Sequence, residues 1–335
     1  MKIVIHPAVE PDRLAALAGA APGVALVNAG TAPEAEAAMP GADAFLGKIT
    51  PALLARADRL RWVQSFTASL EHYVFPELVA HPCTLTNMRG LFSDVIADQV
   101  MGYILCFARN LHLYVRRQIE HRYEPAGGEA ARVSFATGPG TVNAMDRATI
   151  FLPGRTLGLV GFGAIGAEVA RRAMAFGLAI RAVDRHPDRG DAPEGVEAVW
   201  PPGRLPELLA WSDFVVIAAP HTPETERLFD ARTLGFMKES AYLINIGRGA
   251  IVVLDDLVAA LRANRLAGAA LDVYEVEPLP ADHALWDFPN VLLTPHTAGY
   301  STVIAERHLE ALAANLRRFT RGEPLANVVD KALWF

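Results

Sequence analysis

Gly161-Phe162-Gly163-Ala164-Ile165-Gly166 follows directly on Thr156-Leu157-Gly158-Leu159-Val160 and opens an apolar-periodic helical run at 167–176. A strand that turns through three such glycines into a helix is built to cradle a dinucleotide. One glycine makes the tight turn, one lets the backbone approach the pyrophosphate, and one lets helix and strand pack closely. The start of the helix offers unpaired N–H groups and a positive dipole end to the phosphates. Asp184 stands 23 residues beyond Gly161, at the end of the next strand-like run. That is near the spacing of about 20 residues expected of a ribose-binding acid. Its carboxylate can accept from both adenosine ribose hydroxyls and would repel a 2′-phosphate, which favours NAD. Arg185 beside it could pair with that phosphate, so NADP stays open.

Three further segments fall at or just beyond the ends of later strand patterns, where open α/β sheets bind their ligands. They are Asn245-Ile246-Gly247-Arg248-Gly249, Asp272-Val273-Tyr274-Glu275-Val276-Glu277-Pro278 and Thr294-Pro295-His296-Thr297-Ala298-Gly299. With the glycine loop, Pro220-His221-Thr222-Pro223 and His283-Ala284-Leu285-Trp286, they make the stretch from about Gly154 to Gly299 resemble the D-isomer-specific 2-hydroxyacid dehydrogenase family, among its members the glyoxylate and hydroxypyruvate reductases. The resemblance implies that Arg248 holds the substrate carboxylate and polarises its carbonyl, that His296 is the general acid/base, and that Glu277 is its carboxylate partner. The chemistry is consistent. A planar guanidinium grips a carboxylate through two parallel hydrogen bonds. Reducing a ketone takes a hydride and a proton, and histidine can deliver a proton near neutral pH. A neighbouring carboxylate favours imidazolium and orients the ring. The resemblance also implies dinucleotide contacts from Gly161, Phe162, Gly163, Ala164, Ile165, Gly166, Asp184, Arg185, Pro220, Thr225, Ile246, Gly247, Asp272, His296 and Ala298.

Less distinctive segments match the substrate side of that family. Ser65-Phe66-Thr67-Ala68-Ser69-Leu70-Glu71 corresponds to its small-residue loop against the substrate carboxylate, with Ser69 where glycine is usual. Asn87-Met88-Arg89-Gly90 resembles the next substrate-facing segment. The expected substrate contacts are therefore Ala68, Ser69, Arg89, Gly90, Arg248 and His296. Arg89 reads either as a surface charge or as a partner for a second anionic group. Two other functions compete with a 2-keto acid reductase. A formate-dehydrogenase-like relative would pair the histidine with glutamine, and Glu277 argues against it. A dinucleotide-sensing interaction protein of the same fold can retain all three residues, and only turnover separates it.

The elements that must position these residues are legible as alternating strand and helix patterns, which imply parallel sheets covered on both faces. Strand patterns lie at 2–5, 24–28, 44–47, 61–66 and 84–87, with helical ones at 11–19 and 51–57. Six more strand patterns lie at 156–160, 179–184, 214–219, 241–246, 269–273 and 291–294, and a helical tail covers 305–319. The fold expected is α/β, a Rossmann-type dinucleotide-binding domain plus a smaller flavodoxin-like substrate domain. The substrate domain is expected to be discontinuous, from 1–96 and 302–335, around a cofactor domain at 97–301. From Ser93, apolar residues at helical spacing continue to Val115, which predicts one long helix over about 25 residues, roughly 38 Å. It could bridge two domains, pack within one, or support a homodimer. Residues 121–153, with Gly127-Gly128, Gly138-Pro139-Gly140 and Pro153-Gly154, form an excursion without periodicity.

Composition excludes other classes. A net charge of −6, from 31 basic and 37 acidic residues, lacks the basic surplus of a nucleic-acid binder. Of 335 residues 52% are hydrophobic and 20% charged, which suits packed cores and two domains. The two cysteines, Cys83 and Cys106, lack metal-ligand spacing, so no metal is expected, and Cys106 reads as a buried, inert thiol. No segment has the apolar length of a signal peptide or membrane span, so a soluble, cytoplasmic protein is expected.

Overall fold

The computed structural model describes residues 1–70, 73–133, 140–188 and 192–333. Glu71, Gly138 and Pro139, named above, lie outside them, as do the last two residues of the tail. The chain divides into two compact units, Met1–Phe92 with Tyr300–Phe335, and Ser93–Gly299.

In the first unit, β1 (Lys2–His6), α1 (Pro11–Ala20), β2 (Ala25–Asn28), α2 (Ala32–Ala38), β3 (Ala44–Gly47), α3 (Pro51–Ala55), β4 (Trp62–Gln64), α4 (Pro76–Ala80) and β5 (Thr84–Thr86) alternate along the chain. The sheet order is β2-β1-β3-β4-β5, all parallel, the flavodoxin-like arrangement. Local chemistry fixes the helix starts. The Thr50 hydroxyl accepts from Leu53 N–H ahead of Pro51, and Thr31 and Glu34 cap each other's backbone at α2. The helices α2 and α4 are absent from the sequence patterns, being too short for a periodic stripe.

The second unit holds α5 (Ser93–Ala108), α6 (Leu111–Ile119), α7 (Ala144–Arg147), β6 (Thr156–Val160), α8 (Ala164–Ala175), β7 (Ala179–Val183), β8 (Val196–Trp200), α9 (Leu205–Trp211), β9 (Phe214–Ile217), α10 (Ala231–Leu234), β10 (Tyr242–Asn245), α11 (Leu254–Arg262), β11 (Gly268–Leu271) and β12 (Val291–Leu293). After it α12 (Ile304–Arg321) returns to the first unit, where Leu312 and Leu316 pack on Ile3, Ile5 and Leu17. The second sheet runs β12-β11-β10-β9-β6-β7-β8 among the described residues, parallel throughout. Its central strands β9, β10 and β11 read FVVI, YLIN and GAAL and are almost wholly buried, as strands covered by helices on both faces must be.

Three expectations are corrected. The long helix is two helices: Asn110 between α5 and α6 adopts a left-handed backbone at φ 56°. Its side-chain Nδ2 donates to Ala148 O at 2.7 Å, and Ala108 O at the end of α5 accepts from Ile150 N at 3.0 Å, so the 148–150 segment is tied to the break. Val100, Ile104 and Phe107 are buried in the unit's own core beside α8, so the apolar face of α5 is already covered. A seventh strand, β8, was not anticipated; it is an edge strand with exposed Glu197, so its alternation is weak. Cys106 is half-buried rather than buried, although desolvation still pushes its thiol up.

Candidate functional site

The glycine loop joins β6 to α8, and its first and third glycines answer steric demands of the fold. Gly161 sits at φ 93°, and a Cβ there would lie 2.6 Å from Ala219 N. A Cβ on Gly166 would lie 2.7 Å from Gly161 O, so only glycine lets the helix close on the strand. Gly163 precedes the first turn of α8 and faces open space, without a side-chain cap. Ala164, Ile165 and Gly166 belong to the helix itself, which starts three residues before the apolar pattern does. This loop fits a dinucleotide pyrophosphate: open N–H groups, a helix N-terminus and no Cβ in the approach.

Asp184 follows β7 and ties that strand to the loop. Its Oδ2 accepts from Phe162 N at 2.7 Å and its Oδ1 from His186 N at 2.8 Å. Two of its roughly four acceptor positions remain for ribose hydroxyls. The Arg185 guanidinium, which the sequence left open to a phosphate, is ion-paired with Glu224.

Beyond β9 the Pro220-His221-Thr222 turn is held internally. The Thr225 hydroxyl donates to Pro220 O at 2.7 Å and accepts from Thr222 N at 2.8 Å. Ile246, after β10, is buried and donates to Ile217 O at 3.2 Å. A Cβ on Gly247 would meet Ala219 O at 2.7 Å, so the loops after β9 and β10 touch.

Arg248 sits in that second loop, which Asn245 folds back. The Asn245 amide accepts from Gly247 N and donates to Arg248 O, each at 3.0 Å, and one Arg248 guanidinium nitrogen donates to Gly247 O at 2.7 Å. The next residue, Gly249, abuts the loop after β11: a Cβ there would come within 1.8 Å of Tyr274 O. Tyr274 N donates to Glu277 Oε1 at 3.0 Å, and Glu277 Oε2 lies 2.8 Å from His296 Nδ1. A continuous run of contacts thus links the Arg248 loop to His296 through Gly249, Tyr274 and Glu277. A carboxylate only accepts, so Nδ1 carries the proton in this contact and Nε2 is the ring atom left for other chemistry.

Asp272, expected to face the dinucleotide, is instead 2% exposed and holds the histidine loop. Its Oδ1 accepts from Thr294 Oγ1 at 2.5 Å and Thr297 N at 2.9 Å, and its Oδ2 from Ala298 N at 2.9 Å.

In the other unit, Ala68, Ser69, Arg89 and Gly90 are brought together by Asn87, a residue the sequence quoted but did not single out. Its Nδ2 donates to Ala68 O at 2.6 Å and its Oδ1 accepts from Arg89 N at 3.1 Å, while Thr67 Oγ1 donates to Ser69 O at 2.7 Å. Arg89 and Gly90 are exposed, and Gly90 takes φ 94°. Gly249, Tyr274 and Thr294 also carry more of the geometry than expected. All three lie inside the recognised motifs, so their signal was their position.

Residues 101–298 match the family model described as D-isomer specific 2-hydroxyacid dehydrogenase, NAD binding domain. The chain is 34% identical over 291 residues to a glyoxylate reductase of Thermofilum pendens, covering 85% of this chain and 79% of that protein. A D-isomer specific 2-hydroxyacid dehydrogenase family protein from Aeromonas salmonicida has a solved structure similar at a TM-score of 0.76 and 31% identity, covering 98% and 99% of the two chains. The NADPH-dependent glyoxylate/hydroxypyruvate reductase of Sinorhizobium meliloti, solved with NADP and sulfate, aligns at a TM-score of 0.78 and 27% identity over 100% of this chain and 99% of its own.

Proposed function

The chain belongs to the D-isomer specific 2-hydroxyacid dehydrogenase family, and from that premise we propose that it reduces a small 2-keto acid of the glyoxylate or hydroxypyruvate kind to the D-2-hydroxy acid. The family is one of NAD(P)-dependent oxidoreductases, with glyoxylate reductases among this chain's relatives. The observation that carries the proposal is the 2.8 Å contact of His296 Nδ1 with Glu277 Oε2. It leaves Nε2 to give a proton to the carbonyl oxygen or to take one from the hydroxyl. Arg248 grips the substrate carboxylate and, by its charge, draws electron density from the adjoining carbonyl. Ala68, Ser69, Arg89 and Gly90 complete the substrate contacts.

The dinucleotide would be held at the glycine loop and by Asp184, alongside Pro220, Ile246, Gly247 and Ala298, with Thr225 and Asp272 bracing the loops. When bound, its nicotinamide supplies the hydride. A panel of glyoxylate, hydroxypyruvate and pyruvate with NADH or NADPH tests the whole reading. Turnover of the first two is the expected result, and no turnover of any 2-keto acid would leave a dinucleotide-sensing role.

Cofactor choice follows from two carboxylates. Asp184 repels a 2′-phosphate, and Glu224 occupies the guanidinium that would otherwise bind it. NADH is therefore expected to give the higher kcat/KM. In Asp184→Ala that preference is expected to shrink, since ribose acceptance and phosphate repulsion are lost together. A wild-type preference for NADPH would refute this assignment.

A second copy of the chain is the expected partner. Leu111, Val115 and Ile119 stand at successive i, i+4 positions on α6, all exposed, and no residue of that helix is buried. Sedimentation of the wild type as a dimer, and of the Val115→Glu/Ile119→Glu variant as a monomer, is the expected outcome. An unchanged sedimentation coefficient in the variant would move the interface elsewhere. Among the described residues no helix is long and apolar enough to cross a membrane.

A further inference from the structure

Two residues before His296, Thr294 is fixed from four sides. Its hydroxyl lies 2.5 Å from Asp272 Oδ1 and 2.5 Å from the Tyr103 hydroxyl. The carboxylate can only accept, so the single Thr294 hydroxyl proton goes to Asp272, and Tyr103 must be the donor to Thr294. The Thr294 carbonyl accepts from His296 N at 3.0 Å and lies 2.9 Å from the Tyr274 hydroxyl. Between them Pro295 has its φ fixed by its ring. The result is a stiff two-residue arm from Thr294 to His296.

That arm ends in a costly conformation. His296 takes φ 53°, the left-handed region that side-chain-bearing residues avoid. Such a backbone persists only where its surroundings over-determine it. Asp272 supplies part of that constraint by also accepting from Thr297 N and Ala298 N. Tyr103 supplies the outer anchor from the middle of α5, a helix packed into the core of the unit through Val100, Ile104 and Phe107. Tyr103 is 4% exposed, and desolvation pushes its phenol up, so it remains a donor throughout the neutral range.

We propose that Thr294 is a positioning residue for the reaction. Through the Tyr103–Thr294–Asp272 chain it sets the backbone of His296 and therefore the aim of Nε2. This inference rests on His296 being the acid/base. It adds a residue, Tyr103, that lies 191 positions away from Thr294.

The test compares Thr294→Val, Thr294→Ser and Tyr103→Phe with wild type and His296→Ala, using NADH and glyoxylate. A misplacement of about 1 Å can cost on the order of 100-fold, so Thr294→Val, which keeps the shape and loses the hydroxyl, is expected to lower kcat roughly 10- to 100-fold. KM for glyoxylate and the Kd of NADH are expected to change little. Thr294→Ser restores the hydroxyl and is expected to recover most of kcat. Tyr103→Phe is expected to show a smaller loss with the same split, and the double variant Tyr103→Phe/Thr294→Val no more than Thr294→Val alone. Hydrogen exchange on the cofactor-free protein gives a readout apart from turnover: the Thr297 and Ala298 amides are expected to exchange faster in Thr294→Val and at the wild-type rate in Thr294→Ser. The positioning role is overturned if folded Thr294→Val keeps kcat, or if Thr294→Ser is no better, or if the whole loss lies in NADH binding. Normal turnover by His296→Ala overturns the acid/base assignment instead. If His296→Ala is inactive while Thr294→Val is normal, the positioning role alone falls.

Discussion

His296→Ala is expected to lose on the order of 10²- to 10⁴-fold in kcat, the contribution typical of a positioned general acid, while still binding NADH. The separation follows from where the groups sit. The glycine loop and Asp184, which are proposed to hold the dinucleotide, lie after β6 and β7, whereas His296 is carried on the loop after β12 and touches Glu277. Fluorescence titration with NADH and single-turnover kinetics read the two effects independently. Glu277→Gln keeps a hydrogen-bond acceptor near Nδ1 but removes the carboxylate, so kcat is expected to fall, by less than in His296→Ala, with NADH binding retained. Normal turnover by His296→Ala or by Glu277→Gln would exclude the relay.

Arg248→Ala is expected to cost about two to four decades in kcat/KM. That range corresponds to roughly 3–5 kcal/mol, taken from the penalty for breaking a buried ion pair. Arg248→Lys keeps the charge and is still expected to be poor, because a point charge on a flexible stem cannot reproduce two parallel hydrogen bonds to a carboxylate. The loop gives the same expectation. Asn245 holds the Arg248 backbone and the Gly247 carbonyl accepts from one guanidinium nitrogen, contacts set by the shape of the arginine head that a lysine ammonium would not reproduce. Measurement of kcat and KM across a series of keto acids, with a 2-ketone lacking the carboxylate as control, checks the role. The ketone is expected to lose less than the keto acids, since only carbonyl polarisation and not carboxylate binding is removed for it. Near-normal kinetics of Arg248→Ala with keto acids would remove this residue from the site.

What the sequence determined by itself was whatever local spacing encodes. The glycine loop between a strand and a helix is legible because its glycines fall within a few residues of one another, and the contacts at Gly161 and Gly166 are the steric demands those two answer. The motifs that carry Arg248, Glu277 and His296 are local in the same way, and the parallel strands were legible through their short apolar runs, which lie within a few residues of the observed ones. The tertiary structure decided the rest, and the reason is common to all of it. Asn110 lies in a sequence window that is helical by pattern, yet it turns left-handed and its side chain meets Ala148 O, 38 residues on. Tyr103 looks like one more apolar position on a helix until β12 brings Thr294 to its hydroxyl. Arg185 reads as a phosphate ligand until Glu224, 39 residues away, occupies it. Asp272 is named by the resemblance as a dinucleotide contact, while burial leaves its oxygens to the histidine loop. A hydrogen bond between distant segments leaves no periodicity in either of them, because each residue type is compatible with several local roles. Only packing selects the partner, as it selects Tyr103 and Asp272 for Thr294.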